Sequence, residues 1–398
     1  MTPVEARGIG FPGNFAELTV KDGKMSLDRF GRGGELQARP GAPPRTISGP
    51  PDFLARYGRF EVASGVLNVS FSPDLPTVAQ VYRELYPQAG GNPIDGVIRV
   101  DPIGLAALLR YTGPIEVPSA PKPLTAENAA DFLLREQYVT FAGANAERID
   151  VLDDLGHATF DKLTKVDLPN PQQLARDLGP MVDGEHLSMS TYDAAEERLL
   201  DSTGVSAAVP SGGGDQLGVV VNNIGGNKID LFLQRDVDYQ VDWNPTTGAL
   251  DATATVSLHN TAPASGLPLD VIGNIVDLKS PDHSAPPVGT NRTYVSIYTP
   301  WIPTDSTLDG TATPFQLEDE LGRKVTSVQL DIAAGQTRTI VVKLHGQLPA
   351  GGPYHLDLWR QPLVIDGVGR VRLRTPDGRT TEREMSLAVN GSLTFAPR

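Results

Sequence analysis

The chain has no cysteine among its 398 residues, which excludes disulfide staples, thiolate metal sites and a thiol nucleophile. That absence assigns no compartment, since exported and cytosolic proteins can both do without the residue. Apolar runs are short everywhere, none approaching the roughly 18 residues of a membrane-spanning helix. The opening Met1-Thr2-Pro3-Val4-Glu5 has neither the basic nor the apolar stretch of an export signal. Basic clusters are missing too. With 34 Lys+Arg against 48 Asp+Glu the formal net charge is −14, which argues against nucleic acid as a partner.

What is present is turn-rich but not disordered. Gly (41) and Pro (34) are frequent, yet 39% of the residues are apolar, too many for a disordered chain. The length allows two domains, or three small ones. Charge is unevenly spread: residues 1–100 sum to +1, and the acidic excess lies beyond them. The first hundred residues are thus where an anionic ligand meets no general repulsion.

The first half reads as mixed α/β. Phe15–Val20 and Met25–Asp28 flank Asp22-Gly23, a hairpin signal. Helical spacing of Val78, Val81, Tyr82, Leu85 and Tyr86 predicts a helix over about 76–86, then a short strand Gly96–Val100. Asp101-Pro102 supplies a cap and a first-turn proline for a helix that ends at Gly113. Further helices are expected at about 126–139, 146–164 and 171–178. A last one starts with Asp193 and Glu196, spaced as in a capping box, and ends at Gly204. The second half changes period. Asp236–Trp243 and Leu250–Leu258 alternate polar and apolar, and Thr293–Thr299, Thr337–Leu344, His355–Trp359 and Val371–Leu373 continue the pattern. Short alternating strands between Gly/Pro turns predict an antiparallel β-sandwich of immunoglobulin-like type. The expected organisation is an α/β (α+β) domain at 1–207, a linker and connecting strand at 208–224, and a β-sandwich at 225–398.

Few motifs carry chemistry. Gly212-Gly213-Gly214 lacks the Gly-Lys-Ser/Thr ending of a phosphate loop and reads as a flexible linker. The six histidines (His157, His186, His259, His283, His345, His355) never fall four apart on one predicted helix, so no zinc site or catalytic triad is indicated. Asp153-Asp154, Asp161 and Glu196-Glu197 read as solvated helix faces rather than a glycosidase pair. Asp101 stands at a strand's carboxyl end, but capping accounts for it. The arginines stand out more. Arg7 lies in a glycine-rich segment, Arg29 and Arg32 leave the hairpin, and Arg148 opens a helix, where a cation gains nothing from the dipole. Glycine neighbours and guanidinium forks suit phosphate oxygens; ordinary surface arginine beside turn glycine is the alternative.

Three segments carry a resemblance: Glu5-Ala6-Arg7-Gly8-Ile9-Gly10-Phe11-Pro12-Gly13-Asn14, Asp95–Leu105 and Gly225-Gly226-Asn227-Lys228-Ile229-Asp230. They resemble an uncharacterised bacterial family, domain of unknown function 4012, common in actinobacterial envelope proteins, and the similarity extends over nearly the whole chain. The resemblance implies an extracytoplasmic, membrane-tethered parent, with an anchor upstream of the Glu-x-Arg motif at which this chain starts. A more distant similarity is to the LytR-CpsA-Psr phosphotransferases, which move glycopolymers from a polyprenyl-pyrophosphate carrier. It implies that Arg7, Arg32 and Arg148 grip the pyrophosphate, with Glu5 as a ligand of Mg2+. In this chain no acid follows Arg7 or Arg32 directly, and no second arginine accompanies Arg148. Two functions are therefore expected in competition, both on an envelope glycan or lipid-linked glycan: transfer or pyrophosphate cleavage, or recognition without catalysis. The first predicts the three arginines around one cleft. The second predicts exposed aromatics, with Trp243, Trp301 and Trp359 the first to inspect, although tryptophan is commonly core in a sandwich.

Overall fold

A computed structural model describes residues 1–167, 169–275 and 285–396. The chain divides into two compact units. The first comprises residues 1–4 and 9–208, the second residues 5–8 and 209–398. The first unit mixes helix and strand, and the second is built on two large sheets.

In the first unit, β1 (Asn14–Lys21) and β2 (Lys24–Arg32) form the expected hairpin. Asp22 and Gly23 both take positive φ (51° and 73°), the turn whose twist suits a two-residue connection. The helices α1 (Pro51–Tyr57), α2 (Leu75–Gln88) and α3 (Pro102–Thr112) belong to the same unit, and α2 and α3 contact β3 (Gly96–Val100). Asp74 caps α2 by accepting from Thr77 N–H at 2.9 Å, and Asp101 caps α3 through Ile103 and Gly104 N–H, both at 2.9 Å. The helix expected at 126–139 is realised in three consecutive pieces, α4 (Ala129–Asp131), a π-helical turn over Phe132–Glu136, and α5 (Gln137–Thr140). α6 (Asn145–Leu163), α7 (Pro171–Asp183) and α8 (Ala194–Ser202) follow, with β4 (Leu187–Thr191) pairing antiparallel to β3. One apolar core gathers Phe53, Tyr57, Val69, Leu75, Val78, Val81 and Leu85 against Ile9. A second joins Leu109, Phe132, Val151 and Leu155.

The second unit holds β5 (Asp215–Asn223), β6 (Leu233–Trp243), β7 (Ala249–Asn260), α9 (Leu269–Ile272), β8 (Asn291–Thr299), β9 (Ile302–Leu308), β10 (Thr311–Ala312), β11 (Gln316–Glu320), β12 (Arg323–Ile332), β13 (Thr337–Gln347), β14 (Tyr354–Leu358), β15 (Val368–Arg374), β16 (Thr380–Ser386) and β17 (Gly391–Phe395). They form a seven-stranded sheet ordered β10-β9-β13-β7-β6-β15-β16 and a six-stranded sheet ordered β11-β12-β8-β5-β14-β17. Alternate residues of β6 and β7 (Val237, Tyr239 and Val241; Ala252, Ala254 and Val256) enter one core with Leu217, Val219 and Val221 of β5 and Val295 and Ile297 of β8. The two sheets therefore share a single apolar interior, and the outward residues of β6 and β7 are polar, as their period of two requires.

The stretch read as a flexible connector is ordered. Gln216 Nε2 donates to Gly212 O at 2.5 Å, Arg323 donates to Pro210 O, and Arg323 Nε donates to Gln216 Oε1 at 2.7 Å. Turn carbonyls there find partners on buried side chains of their own unit. The strand grouped with it, β5, is buried at every position and lies between β8 and β14.

Candidate functional site

Residues 5–8 are held in the β-rich unit by backbone and side-chain bonds alike. Ala6 N–H donates to Asp230 Oδ2 at 2.8 Å, Gly8 N–H donates to Asn222 Oδ1 at 3.0 Å, and Asn223 N–H donates to Ala6 O at 2.8 Å. Gln361 Nε2 donates to Arg7 O at 2.9 Å. The Glu-x-Arg and Asn-Lys-Ile-Asp segments thereby meet. Arg7 Nη2 pairs with Glu5 Oε1 at 3.0 Å, and Lys228 Nζ pairs with Glu5 Oε2. Burial lowers the Arg7 pKa against the opposing pull of Glu5. Burial raises the Asp230 carboxyl, while Ala6 N–H and the amides of Asn223 and Asn291 hold it down. The result is a buried, charge-paired polar knot in which each Glu5 oxygen already faces a cation. Among the described residues no group of three or more His, Asp or Glu is placed to hold a metal ion.

Arg32 and Arg148 lie in the other unit, each with its own partners. Arg32 Nε is 3.5 Å from both Glu35 Oε1 and Asp153 Oδ2, and its side chain is half exposed. The acid that does not follow Arg32 in sequence thus arrives from α6. Asp153 is not a freely solvated helix residue: burial raises its carboxyl, with Arg32 opposing. Arg148 Nη1 donates to Gln137 Oε1 at 3.0 Å and its guanidinium lies 5.1 Å from the Tyr138 ring centroid, which ties α6 to α5. Glu196 is exposed and Glu197 half-buried, and both carboxylates also accept hydrogen bonds from the neighbouring strand. Glu197 accepts from Thr191 N–H at 2.7 Å and Ser190 Oγ at 3.0 Å, and Glu196 from Thr191 Oγ1 at 3.0 Å.

Asp101 does more than cap. Its Oδ2 meets His186 Nδ1 at 2.7 Å, a pairing invisible in sequence because the two are 85 positions apart. Burial pushes the Asp101 carboxyl up, but His186, Arg99 and Gly104 N–H outweigh it and hold it below the usual range. Gly104 is required here, since a Cβ would come within 2.3 Å of His186 O. Of the other histidines, His157 packs against Phe30, His259 bonds Thr337, His345 bonds Asp251, and His355 meets Asp357, Thr394 and Ser392. His283 lies outside the described residues.

The tryptophans serve the interior. Trp243 and Trp359 are buried, and Trp301 packs on Gly346 and donates through Nε1 to Asp215 Oδ1 at 2.6 Å. What the outer face of the seven-stranded sheet offers instead is a polar groove of about 510 Å³. Strand register sets two rows abreast. Asp305, Lys343, Thr253, Gln240, Arg372 and Glu382 form one, and the exposed Ile302 with His345, Asp251, Asp242, Arg374 and Thr380 form the other. Their charges are matched in place: Lys343–Asp305 at 3.0 Å, Arg372–Glu382 at 2.7 Å, and Arg374 on both oxygens of Asp242 at 2.5 and 2.7 Å. Alternation in β6, β7 and β13 signals an outward polar face, but only register shows which residues stand abreast.

Comparison with known proteins places the chain in part. Residues 1–138 match the family described as "Protein of unknown function (DUF4012)". The expected similarity over nearly the whole chain is thus found over its first part, and Gly225–Asp230 lies beyond the matched stretch. No curated protein sequence matches. Among solved structures, a "putative nutrient binding protein" of Legionella pneumophila aligns at TM-score 0.28 and 6% identity, over 46% of this chain and 71% of that one. Yeast LTA4 hydrolase aligns at 0.23 and 8%, over 41% of this chain and 29% of that one. An M1 zinc metallopeptidase of Deinococcus radiodurans aligns at 0.22 and 12%, over 42% and 39% respectively. Likeness at these scores carries neither fold nor function.

Proposed function

We propose that this chain is a non-catalytic module of the cell envelope that binds a neutral polysaccharide on its β-rich unit, an immunoglobulin-like sandwich. The observation carrying this reading is the pair of rows across β9, β13, β7, β6, β15 and β16, polar throughout except for Ile302 at the β9 end of one. Five inter-strand spacings of about 4.8 Å make a trough roughly 24 Å long, suited to an extended chain rather than a compact ligand. Carboxylates, amide, hydroxyls and guanidinium groups there are donors and acceptors for sugar hydroxyls. Because the cations are paired with carboxylates across the strands, the trough offers no net positive field to an anionic polymer. Its lining has no aromatic residue, so recognition runs through hydrogen bonds.

The test is a panel of soluble neutral and phosphate-bearing polysaccharides titrated against the chain and against Gln240→Ala/Arg372→Ala. Neutral chains are expected to bind, with a loss of about tenfold or more in the variant, since each lost charged hydrogen bond is worth about 1.5–3 kcal/mol. Binding indifferent to the substitutions overturns the groove.

Arg32 beside Asp153 favours the second reading, a phosphotransferase-like or pyrophosphate-cleaving enzyme on polyprenyl-pyrophosphate-linked glycopolymers. In it Arg7, Arg32 and Arg148 would neutralise phosphate charge, with Mg2+ at Glu5. Adding a short polyprenyl pyrophosphate, with and without magnesium, separates the two. Magnesium-dependent binding lost in Arg32→Ala and Arg148→Ala would replace the recognition module with this enzyme.

A further inference from the structure

The β1–β2 hairpin changes character half-way along. Up to its bulge between Glu17 and Leu18 it belongs to the body of its unit. Buried Glu17 accepts from Tyr86 OH at 2.6 Å and from Asn92 Nδ2, and Phe15 meets the Tyr86 ring edge-on at 5.9 Å. Beyond the bulge, residues 19–26 are all exposed. Register pairs Leu18 with Leu27 and Val20 with Met25, so these four side chains share one face, while Thr19, Ser26, Lys21 and Lys24 share the other. Val20 is 68% and Met25 36% exposed. A two-stranded ribbon is marginal by itself in water, and an apolar stripe at its tip adds nothing to its stability while it stays solvated.

We propose that this tip is a membrane-docking element that lays Val20 and Met25 into the interface of an anionic lipid surface, with Lys21 and Lys24 reaching its headgroups. Charge favours this occupant: the chain is −14 overall, yet residues 19–26 carry Lys21 and Lys24 against Asp22 alone, and the next acid, Asp28, is engaged by the Thr19 and Ser26 hydroxyls. Aliphatic and thioether side chains flanked by lysines suit the headgroup boundary, where lysine stems lie along apolar surface and the ammonium groups stay wet. The tip has no Trp, Tyr or Arg, the residues that anchor protein partners. The inference is independent of the polysaccharide groove, which lies in the other unit.

Because the chain has no cysteine, Val20→Cys and Ser26→Cys each give one labelling site, on opposite faces of the ribbon. With an environment-sensitive fluorophore at position 20, phosphatidylcholine vesicles containing one-quarter phosphatidylglycerol are expected to shift emission to the blue. Pure phosphatidylcholine should leave it unchanged, and the probe at 26 should shift less. Cosedimentation of unlabelled chain with the same anionic vesicles is expected to fall at least about tenfold in Lys21→Glu/Lys24→Glu and in Val20→Ser/Met25→Ser. To hold the chain at the surface whatever its own affinity, the labelled protein is also tethered by a terminal histidine tag to nickel-chelating lipid. No blue shift at position 20 on the tethered, anionic surface overturns the proposal. So does a self-association that Val20→Ser/Met25→Ser abolishes, which would assign the stripe to a second copy.

Discussion

Asp215 is fully buried in the β-rich unit, and four donors converge on its carboxyl. Tyr239 and Tyr354 hydroxyls reach Oδ2 at 2.8 and 2.5 Å, and Trp301 Nε1 and Gln216 N–H reach Oδ1 at 2.6 and 2.8 Å. Burial pushes the carboxyl up to about 6 despite the hydrogen bonds of Tyr354, Tyr239, Trp301 and Gln216, which act to lower it. The folded chain therefore holds this proton more tightly than the unfolded one, where Asp titrates near 3.9. The stabilisation is complete below about pH 4 and is lost as the pH rises through about 6. At about 1.4 kcal/mol per unit, some 3 kcal/mol is at stake. Asp215→Asn removes the titration while keeping the shape. All three tryptophans belong to this unit, so their fluorescence follows its unfolding in urea. The wild type should lose about 3 kcal/mol relative to the variant between pH 4 and pH 7; a constant difference would refute the buried charge. Nothing local marks Asp215, since its three side-chain partners lie 24 to 139 positions away.

At the scale of elements, α3 shows how much a cap can join. Asp101 satisfies two N–H groups of the first turn and also holds His186, whose own carbonyl accepts from Asp101 N–H at 3.1 Å. Asp101→Ala should cost about 1–2 kcal/mol for the cap alone, measured on the helical far-UV signal, and more because His186 loses its partner. As this carboxyl sits below its usual value, its stabilisation is present above the ordinary Asp pKa and fades as the pH falls further. The gap between wild type and variant should thus narrow in acid, and a gap that widens would argue against the pairing. The cap, the hairpin turn and the alternating strands β6, β7 and β13 were legible because each is encoded in a few adjacent residues. For β5 the sequence supported only a connecting strand within 208–224, not a central one, because Asp215-Gln216-Leu217-Gly218-Val219-Val220-Val221-Asn222-Asn223 is buried on both faces and shows no period of two. Its outer face is covered by a second small cluster of Val220, Tyr298, Val325 and Trp359. β9, β12 and the edge strands β10, β11, β16 and β17 were not legible either, for want of a clean alternation.

At the scale of the whole molecule, the β-rich unit includes four residues from the far end of the sequence. Arg7→Ala removes the Oε1 partner of buried Glu5, and because Lys228 still faces Oε2 the cost should fall below the roughly 3–5 kcal/mol of a fully orphaned buried charge. The loss should appear in the tryptophan transition of the β-rich unit. An unchanged transition would show that residues 5–8 contribute nothing to it. The sequence by itself determined the acidic charge, the want of thiol chemistry, and the change from mixed helix and strand to alternating strands. These follow from composition and from periods that span a few residues. Only the tertiary structure decided which acid faces which arginine, that Glu5 meets Lys228, that Asp101 meets His186, and that polar residues of separate strands line up in rows. Those pairings join positions tens to hundreds apart, and strand register and burial, on which they depend, are set by the packing of the core as a whole.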